Sequence, residues 1–451
     1  MYRKSRLLRR SRVLWGSLAL WRPRLIFWCG AFAIGIISVG FARLADLAQR
    51  AFAGLTTSGE WGFLLPLVIT PLGFMLSAYL AARFFPNAQG SGIPQAIAAR
   101  HLRDPEDRTR LLSLRLVIGK IVLTVLGLLS GASIGREGPT VQVGASIMLA
   151  VARFGGMAQA RGLILAGSAA GIAAAFNTPL AGIVFAIEEM SRTYESRANG
   201  LVLTAVILSG LAALGLAGSY NYFGSTSVAP ASLRDWELVL VCGIGGGALG
   251  AAFSGLALHA GQHIRRFAQP QPLRRMVLLA AVCGLAVAVI GMLSGGTTFG
   301  TGYDQAKGAV EGNPLPLIFF LEKLVAGFLS MISGIPGGIF ALSLAVGAGF
   351  GSTVGQLMGS GIALAAILGH GRIFLRRGAG TDDGLRHHSG NDRRSPGRHP
   401  DHGGVDDRLH HLAAPVARTA LPRPFTRLHR RGDQSAACQG TAGKLIVPSE
   451  A

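Results

Sequence analysis

The chain has 451 residues, half of them hydrophobic and only 14% charged, with 64 glycines and a mean hydropathy of +0.44. That profile excludes an ordinary soluble enzyme domain. A net charge of +21 would suit a nucleic-acid binder, but the basic residues gather at the two ends and in short connections rather than along one face, so nucleic acid is excluded as a partner.

Residues 1–24 carry Arg3, Lys4, Arg6, Arg9, Arg10, Arg12, Arg22 and Arg24 without an acid, which predicts a cytoplasmic N-terminus by the positive-inside rule. No small-residue cleavage site follows the first apolar run, so that run reads as a membrane helix rather than a signal peptide. Predominantly apolar runs follow at residues 25–45, 61–85, 116–134, 163–187, 201–217, 238–258, 276–293 and 315–332. Each approaches the roughly 20 residues that cross a bilayer as a helix. Cys29, Cys242, Cys283 and Cys438 have neither metal nor redox spacing and imply no disulfide framework. No metal or other cofactor is implied.

The chain repeats itself. The stretch from Lys120 to Ala145 aligns with the stretch from Lys323 to Ala348, matching Ser130 with Ser333, Gly131 with Gly334, Gly135 with Gly338 and Val143 with Val346. In both copies an apolar helix ends in a glycine-rich break and a second helix begins just beyond. Interrupted helices at matching places in two halves point to a transport site. A helix that begins inside the membrane presents unsatisfied N–H groups and about half a positive charge, which suits an anion. Bare backbone at that depth is tolerated only where protein or a water-filled cavity surrounds it. Pro94 and Pro139, each just inside a new helix, cost no hydrogen bond.

Three segments, Gly90-Ser91-Gly92-Ile93-Pro94, Gly135-Arg136-Glu137-Gly138-Pro139 and Gly337-Gly338-Ile339-Phe340-Ala341, resemble the helix-start segments of the CLC chloride channels and chloride/proton exchangers, in that family's order. Phe176-Asn177-Thr178-Pro179-Leu180-Ala181-Gly182, running into Glu188-Glu189-Met190, is similar to the same family. The resemblance covers residues 25–369. It implies an all-α polytopic membrane protein whose broken helices meet at an anion filter. It further implies chloride and protons as transported ions, an inner-membrane location, a lipid bilayer around the chain and a homodimer, with no enzymatic activity. The anion would be held by Ser91, Gly92, Ile93, Gly138, Ile339 and Phe340. Glu137 would gate the path and transfer protons, and Glu189 would pass protons at the inner side, favouring exchange over passive conduction.

Plainer roles exist for the same residues. Ser91 also suits an ordinary cap of a helix at residues 93–99, Glu137 a surface pair with Arg136, and Glu189 a solvated helix end before Arg192. Lys120 and Lys323 either add positive potential to the path or snorkel or pair with an acid such as Glu322. Leu342 stands where the family usually has proline, which leaves the geometry of that helix start open.

The expected organisation is a basic N-terminus over 1–24, a first membrane repeat over 25–218, an incomplete second repeat over 236–369 and a tail over 370–451 that does not resemble the family. From His370 onward the chain holds 8 of its 11 histidines and 13 arginines with almost no apolar run, and no tyrosine lies beyond Tyr303. With freely chosen codons, residues 370–392 read one nucleotide later give MAASSCGVVQAPMTAFVIILEMT, a plausible membrane helix of the family. The tail therefore reads as out of frame. The rival readings of the tail are a disordered basic extension that contacts anionic lipid or nucleic acid, or a His-rich metal site, against which its histidines lack ligand spacing; for the whole chain the alternatives are a passive chloride channel or a truncated member that does not transport.

Overall fold

In a computed structural model of the chain, the described residues are 18–191, 196–219, 232–268 and 271–369, with positions 224, 226, 228 and 230. The tail over 370–451 and most of the basic N-terminus lie outside them. The protein is all-helical: among the described residues the only β pairing is two isolated bridges. Seven helices among these residues are long and apolar enough to cross a membrane.

Helix α1 (Leu18–Thr57) has two faces. Leu25, Trp28, Phe32 and Ile36 are exposed, while Phe27, Ala31 and Ile34 are buried. The three-and-four spacing of the exposed set puts one apolar stripe toward lipid and the other toward the protein. After α2 (Pro66–Phe84) come the shorter α3 (Ile93–His101), α4 (Pro105–Leu111), α5 (Leu114–Leu129) and α6 (Glu137–Phe154). Helix α6 is buried along most of its length and packs on α7 (Ala160–Ala175), which is buried almost throughout. Small residues permit this contact. A Cβ built on Gly167 would lie 2.4 Å from the Gly144 carbonyl oxygen, and one on Gly144 would lie 2.2 Å from that of Gly167.

The apolar run over 163–187 does not form one crossing. Helix α7 ends at Ala175, Asn177 turns left-handed at φ 52°, and Thr178 is extended ahead of α8 (Pro179–Phe185). A residue before proline is driven out of the helical region, and asparagine tolerates the left-handed turn. The π-helical turn Ala186–Ser191 follows α8. The run over 315–332 is likewise shortened, its helix starting only at Phe319.

Helix α9 (Ser196–Ala217) closes the first half, and the second contains α10 (Leu233–Ala268), α11 (Pro272–Leu293), α12 (Tyr303–Val310), α13 (Phe319–Ile332) and α14 (Phe340–Met358), with a further helix over 362–369. Helix α13 has 14 residues, about 21 Å at 1.5 Å per residue. It therefore stops short of the roughly 30 Å hydrocarbon core.

The aligned breaks have matching geometry. Ser130 is the C-cap of helix α5 and Ser333 that of α13, and the next residues, Gly131 and Gly334, take φ 80° and 82°. The Ser130 hydroxyl donates to Leu126 O and that of Ser333 to Ser330 O, both at 2.7 Å. The halves also touch here, through the Ser133 N–H and Ser330 Oγ at 3.2 Å.

Candidate functional site

The starts of α3, α6 and α14 are tied together by their own backbones. The N–H of Gly135 donates to Gly338 O and that of Gly338 to Gly135 O, each at 2.7 Å. Gly90 N–H donates to Ile335 O at 3.3 Å, and Gly337 N–H to Gly90 O at 3.1 Å. All three glycine-rich segments singled out in the sequence thus meet at one place, joining the first half of the chain to the second.

Gly92, Arg136 and Ile339 occupy the N-cap positions of the three helices, and none makes a side-chain capping bond. The cap of α3 is thus Gly92, at φ 89°, so Ser91 is not the ordinary cap of that helix. Ser91 is half-buried beside Gly138. A Cβ on Gly138 would lie 3.0 Å from Ser91 O and 3.1 Å from both Ser91 Cβ and Gly338 Cα.

Glu137, the first residue of α6, is fully buried. A Cβ on Gly135 would lie 2.5 Å from Glu137 Oε2 and 3.2 Å from Ala341 Cβ. The carboxylate is thereby located beside the first turn of α14. The neighbouring Arg136 guanidinium donates to Asp46 at 2.5 Å and to Ala42 O at 2.8 Å, both on α1.

Among the described residues, the other buried charged side chains are Arg100, Lys120, Arg136 and Lys323, all cationic. Neither lysine snorkels. Lys120 Nζ donates to Ala88 O at 2.8 Å and Gly90 O at 2.7 Å, while Lys323 Nζ donates to Thr298 O and Gly300 O at 2.8 Å. Each ammonium turns the carbonyls of a loop toward itself just ahead of a helix start. The first loop is further held by Gln142, whose amide donates to Asn87 O at 3.2 Å and Leu111 O at 3.0 Å. Sequence reasoning did not find Gln142 or this carbonyl-clamping role.

Leu342 leaves the start of α14 intact. It is the third residue of the helix, 2% exposed, and its methyl groups fill the space above Gly327, where a Cβ would lie 2.1 Å from Leu342 Cδ2. The Phe340 ring meets Phe185 of α8 edge to face at 6.0 Å. Glu189 is half-buried in the π-helical turn one helical turn beyond Phe185.

Interrupted helices paired across two halves, with a buried carboxylate where their starts meet, define a membrane transport protein. The family model described as voltage gated chloride channel matches residues 73–374, and the chain belongs to that family. Its members are transporters rather than enzymes. The chain is 32% identical over 338 residues to the H(+)/Cl(-) exchange transporters ClcA of Salmonella typhi and Salmonella typhimurium, covering 71% of this chain and 69% of each relative. Among solved structures it is similar to a CLC-type fluoride/proton antiporter, with TM-score 0.66 and 25% identity over 79% of this chain and 86% of that one. A slow cyanobacterial Cl-/H+ antiporter shares the fold, with TM-score 0.67 and 24% identity over 78% and 85% of the two chains.

Proposed function

We propose that this chain exchanges chloride against protons across a membrane, with Glu137 as the gate. The observation that carries the reading is a fully buried carboxylate at the meeting of three helix starts. An intramembrane acid is costly and functional by default. Ionised, Glu137 competes with an anion for the same N–H groups and positive helix ends; protonated, it yields the place. Proton uptake and anion entry then become alternatives at one site, which is the physical basis of coupling. The exchange transporters at 32% identity support the choice of chloride and protons.

In this reading the N–H groups of Ile339 and Phe340, with Ser91, Gly92 and Ile93, bind the central anion, and Gly138 contributes to an outer position. Lys120 holds the loop and adds positive potential. Glu189 passes protons at the inner side. The membrane is the inner membrane, the N-terminus is cytoplasmic, and the protein works as a homodimer with one path per subunit. Residues 25–218 form one repeat and 236–369 the second.

The test is reversal potential in proteoliposomes. Opposed chloride and proton gradients are expected to give a potential displaced from the chloride Nernst value, and a proton gradient alone to drive chloride uphill. A potential at the chloride value would make the protein a passive conductor.

A further inference from the structure

Helix α3 starts at the meeting point of the broken helices and ends on another buried group. Arg100, in its last turn, is only 5% exposed, and its Nη1 donates to the carbonyl oxygen of Met190. Met190 directly follows Glu189 in the π-helical turn Ala186–Ser191. Both α3 and this turn pack on α7.

A buried guanidinium is tolerated only where acceptors surround it, and a cation is favoured at the C-terminal end of a helix. Arg100 has both conditions: it lies near the end of α3 and reaches a backbone carbonyl on another segment. The span from Ile93 to Arg100 is a single helix, about 10 Å long at 1.5 Å per residue. A shift at the start of α3 is therefore carried to the Arg100 end as a rigid-body movement. Single π turns are also frequent at functional sites.

We propose that Arg100 is a positioning residue that ties the turn bearing Glu189 to the anion-binding helix, so that movement at the anion site and proton exchange at Glu189 proceed together. The inference rests on the exchanger reading above. It assigns Arg100 no contact with either ion.

The experiment compares wild type, Arg100→Met, Arg100→Gln and Arg100→Lys in proteoliposomes, measuring chloride turnover and reversal potential under opposed chloride and proton gradients. Met and Gln remove the reach to the Met190 carbonyl, whereas Lys retains a donor for it. The expected result is that the Met and Gln variants still pass chloride while their reversal potential moves to the chloride Nernst value, and that Lys restores the wild-type displacement. If Met does not assemble, the milder Gln variant decides alone. A folded Met or Gln variant with the wild-type reversal potential overturns the proposal. So does loss of chloride turnover in all three variants together, since that marks a merely structural role. A wild-type protein already at the chloride Nernst value overturns the exchanger reading itself, and is seen before any variant is compared.

Discussion

Gly338→Ala tests whether close backbone contact builds the anion site. The added methyl would lie 2.9 Å from Gly138 N, 3.0 Å from Gly135 O and 3.0 Å from Pro139 Cδ. These neighbours are backbone atoms and a proline ring, so no flexible side chain can give way. The paired 2.7 Å hydrogen bonds between Gly135 and Gly338 must lengthen, and the starts of α6 and α14 must part. Overpacking of this kind costs about 1–3 kcal/mol. If that cost falls on the bound geometry, chloride binding weakens by roughly 5- to 150-fold at 1.4 kcal/mol per factor of ten. The assay is chloride titration by calorimetry in detergent, with flux in proteoliposomes. Gly54→Ala, likewise outside the positive-φ region but with open space around its Cβ, controls for the loss of a glycine alone. A Gly338→Ala protein that binds and carries chloride as wild type does would refute the reasoning.

Glu137→Gln removes the titrating group, so chloride is expected to pass without proton coupling; continued proton transport would sink the gating role. Lys120→Met leaves Ala88 O without its ammonium donor, while Gly90 O keeps the Gly337 N–H. Unsatisfied buried groups cost about 1–3 kcal/mol each, so a drop in thermal stability and weaker chloride binding are expected, and unchanged values of both would show the clamp to be dispensable. Sequencing the gene across codons 364–392 is expected to find one base more or fewer than this reading requires. An unaltered sequence there would refute the out-of-frame account of the tail.

The three helix starts were legible because their chemistry is local. Glycine at 90, 92, 135 and 338, and an acid at 137, mark backbone breaks without reference to distant residues. The repeat was legible for the same reason, since Ser130-Gly131 and Ser333-Gly334 code the same helix end. What joins distant segments could not be read. Gln142 reaches back 55 positions to Asn87 O and Arg100 forward 90 to Met190 O. Backbone carbonyls occur at every residue, so such bonds leave no pattern in the sequence. The long run over 163–187 misled because apolar length is a weaker determinant than the Asn177 and Pro179 turn within it.

One correspondence emerged only in three dimensions. Gly300-Thr301-Gly302 stands before α12 as Gly90-Ser91-Gly92 stands before α3, with Gly90 and Gly300 both at φ 68° and a buried lysine on each loop. The lysine follows its glycine by 30 positions in the first half and 23 in the second, a difference of seven that defeats a constant-offset alignment. Helix α4, seven residues long, lies between loop and lysine in the first half. The two loops meet different surroundings. Gln49 of α1 places Oε1 at 2.8 Å from the Thr301 N–H and 3.2 Å from its hydroxyl. The first loop instead faces Gly138 and the start of α6. A neutral amide oxygen therefore satisfies donors in the second half of the kind that, in the proposed mechanism, receive an anion in the first. The break in the helix supplies donors in both halves, and the residue facing the break determines whether those donors are taken by the protein or by an ion.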